Sequence, residues 1–188
     1  RTQECLKMQA MVRNGIPTVS LMGFLAMLLA LGAAPARAQV VPFKVTGAGV
    51  AEFIPLVPGQ ASPHDAIGTA THLGRYQAEG LVRLDAFTGP TTGAFSSAKP
   101  VAFTAANGDV LCFDYEGQVE LIFVGNGRFI TVWVAEFTPA SGSTGRFERV
   151  VDGSFVMTAI SDPFLLEAPF LVGYSWSGSG WIAFDRGR

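Results

Sequence analysis

His72 is the side chain best suited to chemistry near neutral pH, because an unperturbed imidazole changes its charge there. It lies in residues 69–75, next to Gly74, and the glycine indicates a kink in the chain. Together with Arg75, His72 could orient a ligand, or it could act as an acid or a base. The alternative is a histidine that hydrogen-bonds the backbone of a neighbouring strand. We therefore take His72 and Arg75 as candidate ligand-binding residues, and the sequence assigns no catalytic residue.

Three tryptophans complete the set of candidate ligand-binding residues, and they are Trp133, Trp176 and Trp181. In the last apolar segment, Tyr174 and Trp176 share one strand face with two glycines. Small residues beside large aromatic residues can leave space inside a barrel. The alternative interpretation is ordinary packing in a tapered core. The pattern thus indicates a place for a ligand without identifying one.

The sequence lacks the motifs that a metal site or a cofactor site requires. His64 and His72 are eight residues apart with no cysteine nearby, which is a poor pattern for a zinc site. The chain has no Gly-x-Ser-x-Gly elbow and no glycine-rich phosphate loop before a helix. We therefore expect no metal and no cofactor.

The first 38 residues are typical of an upstream extension followed by a secretory signal peptide. Arg13 precedes an uncharged apolar run at residues 21–34, and Ala36-Arg37-Ala38 follows as a small-x-small cleavage pattern. The run is shorter than the about 20 apolar residues that a membrane span needs. The sequence therefore predicts an exported protein, periplasmic or extracellular. Its single mature domain would be residues 39–188, with no membrane span left after cleavage.

Charge and cysteine content limit the partners of this mature part. Four of the 13 basic and one of the 15 acidic residues precede residue 39, which leaves nine basic and 14 acidic residues and a net charge of −5. An acidic domain without a basic stripe is a poor match for phosphate backbones, so we expect no nucleic acid partner. Cys112 is then the sole cysteine, and we expect a buried small apolar residue rather than a reactive thiol.

Short apolar runs separated by turn residues predict an all-β fold. The pairs Asn107-Gly108 and Asn126-Gly127 are strong turn signals, because both residue types tolerate positive φ. Glu116-Gly117 is read as a further turn, and residues 89–100, rich in Gly, Ser, Thr and Pro, as a loop. The pattern contains about eight strands joined mostly by short turns. It favours an antiparallel meander, closed as a barrel or folded as a sandwich.

The segment 129–137 (FITVWVAEF) carries the strongest strand signal and is apolar on both faces. Phe129, Thr131 and Trp133 begin one face, while Ile130 and Val132 begin the other. A strand with two apolar faces is usually covered on both sides. We therefore expect one face to line a barrel and the other to be covered by a loop or by a second copy in a homo-oligomer.

Three motifs carry a resemblance to known proteins: GTATHLGR at residues 68–75, FTAANGD at 103–109 and GSTGRF at 142–147. Together they resemble a group of exported bacterial proteins of uncharacterised function. The third motif is similar to the Gly-Thr-Gly-Lys/Arg-Phe turn of dirigent proteins and, more distantly, to the allene oxide cyclase barrel. The resemblance covers about residues 47–184 and implies an eight-stranded antiparallel barrel with an apolar cavity, often oligomeric. Residues 148–152 depart from that pattern, so a shared role for this turn is not implied. No catalytic residue of these families matches a position in this sequence, so none is carried over.

These observations leave three functions open. The first is an exported barrel that binds an apolar or amphipathic small molecule in its cavity. The second is an isomerase or cyclase on the same barrel, with His72 and Arg75 as its polar groups. The third is a structural or surface-interaction protein that uses the strand at 129–137 for contact.

Overall fold

The computed structural model describes residues 38–53, 57–167 and 170–186. The predicted upstream extension and signal peptide lie outside the described residues, except for their last residue, Ala38. Within the described residues the chain forms nine strands and one short 3₁₀ turn, Gly145–Phe147. The strands are β1 (Gln39–Phe53), β2 (Ala61–Ala70), β3 (Gly74–Phe87), β4 (Thr92–Ala105), β5 (Val110–Gly125), β6 (Arg128–Pro139), β7 (Val150–Ser161), β8 (Phe164–Leu165) and β9 (Phe170–Phe184).

Eight of these strands close into an antiparallel barrel. Neighbours in the chain pair from β1 through β7, β7 pairs with β9, and β9 pairs with β1 along their full lengths. The two-residue β8 pairs with β6 beside this ring. The predicted all-β fold, an antiparallel barrel of about eight strands, is therefore confirmed.

Two of the predicted turns are correct, and two other local predictions are wrong. The turns at Asn107-Gly108 and Asn126-Gly127 join β4 to β5 and β5 to β6, as expected. However, β5 continues through Gly117 without a turn. Glycine is needed there because a Cβ would collide with the backbone of Val134 and Ala135 on β6. This glycine serves close strand approach rather than a turn. The segment read as a loop is strand from Thr92 onwards, interrupted by an irregularity in the β4–β5 register.

Phenylalanines fill one end of the barrel. Phe43, Phe113 and Phe137 all pack on the ring of Phe155, with centroid distances of 5.1, 5.0 and 4.6 Å. All four side chains are almost fully buried. Close packing of this kind leaves no room for a ligand, so this end is solid core.

The β6–β7 connection covers the same end. Phe147, in the 3₁₀ turn, is fully buried and belongs to the core. The neighbouring Arg146 binds Asp109 at 3.3 Å and donates a hydrogen bond to the backbone oxygen of Leu73 at 3.5 Å. The connection is thereby tied to the turns that precede β3 and β5. Cys112 is buried nearby, as expected, and burial raises the pKa of its thiol.

Strand β6 has one buried and one exposed face. Thr131, Ala135 and Phe137 are buried inside the barrel, so theirs is the face that lines the interior. On the outside, Val134 is 45% exposed, and Val156 on the adjacent β7 is 52% exposed. The described residues therefore leave these two valines of the outer face uncovered. The use of this face as a contact between copies stays a prediction.

Candidate functional site

The second end of the barrel holds a cavity of about 100 Å³. It lies where β1, β3 and β7 end and where β2, β6 and β9 begin, at the opposite end from Phe147. Val57 and Gln60, both exposed, stand at its rim in the β1–β2 connection. Most of its wall is apolar, contributed by side chains such as Val82, Leu84, Phe95, Met157 and Val172.

The structure brings together two of the five predicted site residues. Trp133 and Trp176 both line the cavity. Trp181 follows the opposite parity on β9, so its side chain faces the outside of the barrel. His72 and Arg75 are exposed at the filled end, in and just after the β2–β3 turn. The predicted set is thus divided between the two ends and the outer surface.

His72 occupies the tip of its turn. Its φ is 68°, in the left-handed region that non-glycine residues rarely adopt. The ring Nε2 lies 3.2 Å from the backbone oxygen of Pro42 on β1. This contact matches the alternative interpretation of a histidine bonded to a neighbouring strand.

A different histidine, His64 on β2, is at the centre of the cavity's polar group. Its Nε2 lies 2.9 Å from the hydroxyl of Tyr115 on β5, and its Nδ1 lies 3.2 Å from the hydroxyl of Tyr174 on β9. Tyr174 in turn donates to the backbone oxygen of Asp65 at 3.3 Å. All three side chains line the cavity, and we call them the His64 triad.

Glycine makes room for this arrangement. Gly80 on β3 lies opposite His64, and a Cβ at residue 80 would collide with the imidazole. The inward faces of β1 and β2 carry Gly47 and Gly68 in the same way, and a Cβ on either would lie 2.5 Å from the hydroxyl oxygen of Tyr76. These glycines therefore leave the space that the imidazole of His64 and the hydroxyl of Tyr76 occupy inside the barrel.

Only one arrangement of protons satisfies every contact of the His64 triad. A carbonyl oxygen can only accept, so the Tyr174 hydroxyl donates to Asp65 and must accept from His64 Nδ1–H. A neutral imidazole has one donor and one acceptor, so Nε2 then accepts from the Tyr115 hydroxyl. The chain of donors runs from Tyr115 through His64 and Tyr174 to the Asp65 carbonyl.

Burial keeps all three groups neutral. Desolvation lowers the pKa of His64 to about 4, against a smaller opposing effect of Asp65. Burial also raises the pKa of Tyr115 and of Tyr174 above the ordinary value of 10.0. Transfer of a proton from Tyr115 to His64 would create two buried charges, which desolvation of both groups disfavours. The triad is suited to hydrogen bonding and is a poor acid–base pair at neutral pH.

The indole N–H groups of the cavity are engaged with the protein. Trp176 Nε1 donates to the hydroxyl of Tyr76 at 2.9 Å, and that hydroxyl donates to the backbone oxygen of Thr46 at 3.0 Å. Trp133 Nε1 donates to the hydroxyl oxygen of Thr131 at 2.7 Å. Both tryptophans therefore offer apolar ring surface to the cavity, while the His64 triad provides polar atoms.

Sequence reasoning missed the His64 triad because its members come from three separate strands. His64 was considered only as a metal ligand. One signal was present: His64 shares a strand face with Ala66, Gly68 and Ala70, whose small apolar side chains indicate the inside of a barrel. Nothing in the sequence indicates that Tyr115 and Tyr174 would meet on that histidine.

Comparison with known proteins provides no assignment. No protein-family model matches the chain, and searches of curated proteins and of solved structures gave no match. In the part of the chain that the structure describes, no helix is long and apolar enough to cross a membrane. The same residues contain no group of three or more His, Cys, Asp or Glu side chains that could hold a metal ion.

Proposed function

We propose that this protein is an exported barrel that binds an apolar or amphipathic small molecule in the cavity at its open end. The observation that carries the proposal is the contrast between the two ends of one barrel. Phe155 and its neighbours fill one end, whereas the other end has an apolar, aromatic-lined cavity with a small polar group. Ligand sites have this composition: mostly apolar walls with a few placed polar atoms. Support for export comes from the signal-peptide pattern in the sequence.

The size of the cavity limits the part of the ligand that it can enclose. Drug-sized ligands occupy about 300–1,000 Å³, whereas a cavity of about 150 Å³ accepts a single benzene ring. A volume of about 100 Å³ therefore suits one small ring or a short branched chain. Because the exposed Val57 and Gln60 form the rim, the rest of a longer molecule would extend into solvent.

Binding is favoured over the alternative function, an isomerase or cyclase on the same barrel. His72 and Arg75, the polar groups considered for that reaction, lie at the filled end. The three groups of the His64 triad are held neutral by burial, which disfavours moving a proton between them. The resemblance to dirigent and allene oxide cyclase barrels is consistent with a cavity and carries over no reacting group.

Binding is tested with a variant in which a larger side chain on β7 fills the cavity. Ala159 on β7 is buried and lines the cavity, while its neighbour Thr158 is exposed on the outer face. Toluene is titrated into the full chain by calorimetry, with Ala159→Leu as the filled variant and Thr158→Leu as the matched control. We expect binding to the wild type and to Thr158→Leu, and at least tenfold weaker binding to Ala159→Leu. Absence of toluene binding, or equal binding to both variants, would contradict the proposal.

Native mass spectrometry of the protein from its own host provides the identity of the ligand. A retained small molecule with an apolar ring or chain supports the cavity proposal and gives its mass. A retained ligand that remains bound to the Ala159→Leu variant would place the binding site elsewhere and overturn it.

A further inference from the structure

The hydrogen bonds of the His64 triad determine which polar group of a ligand can bind to its two tyrosine hydroxyls. The Tyr115 proton is donated to His64, the imidazole proton to Tyr174, and the Tyr174 proton to Asp65. Each hydroxyl has one proton, so none remains for a ligand. Within the triad, only the lone pairs of the two tyrosine oxygens are left to bind a ligand. The cavity therefore accepts hydrogen bonds and does not donate them through this group.

We infer that the ligand is a neutral molecule that places an apolar ring bearing a hydroxyl group, as in a phenol or a cyclic alcohol, against Tyr115 and Tyr174. The inference rests on the proposed function and adds the chemical class of the ligand. An aldehyde or ketone of the same size would set its lone pairs against those of the tyrosines. It would bind to these two oxygens only after the donor chain had reversed and the bond to Asp65 had been lost.

The charges around the cavity favour a neutral ligand. Among the described residues that line it, Glu52 is the single charged side chain, and it lies on the outward parity of β1 at the rim. An anion would find no positive partner there and would be repelled by Glu52. A permanent cation would lose its hydration among mainly apolar side chains, which costs more than a neutral hydroxyl loses.

Affinity for phenol relative to benzaldehyde tests the inference, since each carries one polar group on the same ring. Both are titrated into the full chain by calorimetry at pH 7, together with toluene. We expect phenol to bind about three- to tenfold more tightly than benzaldehyde, which is the contribution of about one hydrogen bond. Toluene has no polar group, so its binding tests the proposed function alone.

The three ligands separate the two ways of failing. If none of them binds, the proposed function fails, and the inference fails with it. If toluene and benzaldehyde bind as well as phenol does, the cavity is real and the hydroxyl inference is wrong. Tighter binding of tetramethylammonium than of phenol would also overturn the inference, because it would indicate a cation site formed by the aromatic rings.

Two variants connect the preference to the donor chain. His64→Leu releases the Tyr115 proton, which can then be donated to a carbonyl ligand, so the ratio of phenol to benzaldehyde affinity should fall to near one. Thr158→Leu is the control, because residue 158 is exposed on the outer face of β7 and does not line the cavity. The ratio should stay at its wild-type value there. An unchanged ratio in His64→Leu would contradict the inference.

The tautomer of His64 can be measured in the wild-type protein, so this test does not depend on the folding of a variant. In ¹⁵N-labelled protein at pH 7, the imidazole nitrogens of His64 report which one carries the proton. We expect a proton on Nδ1 and none on Nε2. The opposite tautomer would mean that the Tyr115 hydroxyl donates into the cavity, and it would overturn the inference.

Discussion

Replacing Gly80 with alanine should destabilise the barrel by displacing His64. The three atoms nearest to a Cβ at residue 80 all belong to the His64 imidazole, and two of them would lie closer than 3.0 Å. His64 would have to move away from Tyr115 and Tyr174, to which it is bonded at 2.9 and 3.2 Å. Two hydrogen bonds would be lost or weakened, at about 1 kcal/mol each.

The backbone effect of the substitution has the opposite sign. Alanine in a strand is better than glycine by about 0.5–1 kcal/mol, because the unfolded chain has less freedom to lose. The net loss in the free energy of unfolding should therefore be about 1–1.5 kcal/mol. For a barrel of this size, such a loss lowers Tm by about 2–6 °C. Urea unfolding followed by tryptophan fluorescence measures it directly.

A double-mutant cycle with His64→Ala shows whether the cause is correct. Without the imidazole the collision disappears, so Gly80→Ala should stabilise the His64→Ala protein by about 0.5–1 kcal/mol. The effect of one substitution then changes sign between the two backgrounds, with a coupling energy of about 2 kcal/mol. Equal destabilisation in both backgrounds would refute the reasoning.

Gly178→Ala is the matched control for this cycle. A Cβ at residue 178 would meet the backbone oxygen of Val156 at 2.8 Å and the ring of Phe155 at 3.2 Å, with no His64 atom among its nearest neighbours. Its cost should therefore be the same whether or not His64 is present. A difference would mean that removing the imidazole loosens the whole barrel, which the cycle would otherwise misread as specific coupling.

Three further predictions concern other parts of the molecule. Burial lowers the pKa of His64 from 6.5 to about 4, so as the pH falls His64 takes up a proton in the unfolded protein before it does so in the folded protein. Stability should be full above pH 6.5 and fall between 6.5 and 4 by about 3 kcal/mol, and urea titrations should show a smaller loss in His64→Gln. Phe147→Ala removes a fully buried ring and should cost about 3–5 kcal/mol by the same assay, while toluene binding at the other end persists. If the outer face of β6 and β7 joins two copies, replacing both Val134 and Val156 with lysine should convert the oligomer to a monomer in sedimentation. A wild-type protein that sediments as a monomer at high concentration would contradict this contact.

Turns and strand order were predictable because their signals are local. Asn126-Gly127 is bounded by apolar runs, and both residues adopt positive φ as the pattern requires. Gly117 misled the interpretation because the same residue type also allows two backbones to approach closely, and one sequence does not distinguish the two uses. Which use applies depends on the neighbouring strand, β6, which the local pattern does not contain.

The cavity residues were only partly predictable for a related reason. Trp133 and Trp176 were found because large aromatic side chains inside a barrel are expected to border any space. His64 was overlooked in favour of His72, whose position beside Gly74 suggested a functional kink. The structure places His72 at the exposed tip of that turn, and it is the pairing of β2 with β1 and β3 that turns His64 inward.

The pairing of β1 with β9 has a consequence for how the chain reaches its fold. Gln39 and Phe184 are partners in the register, although they come from the two ends of the described sheet. Before this pairing can form stabilising contacts, the chain must lose the entropy of closing a loop of almost the whole domain. Folding is therefore expected to be slow. Until β9 docks, β1 and β7 are open edge strands that can pair with other chains. Closure of the ring removes both edges at once, so the step that completes the barrel also ends its exposure to aggregation.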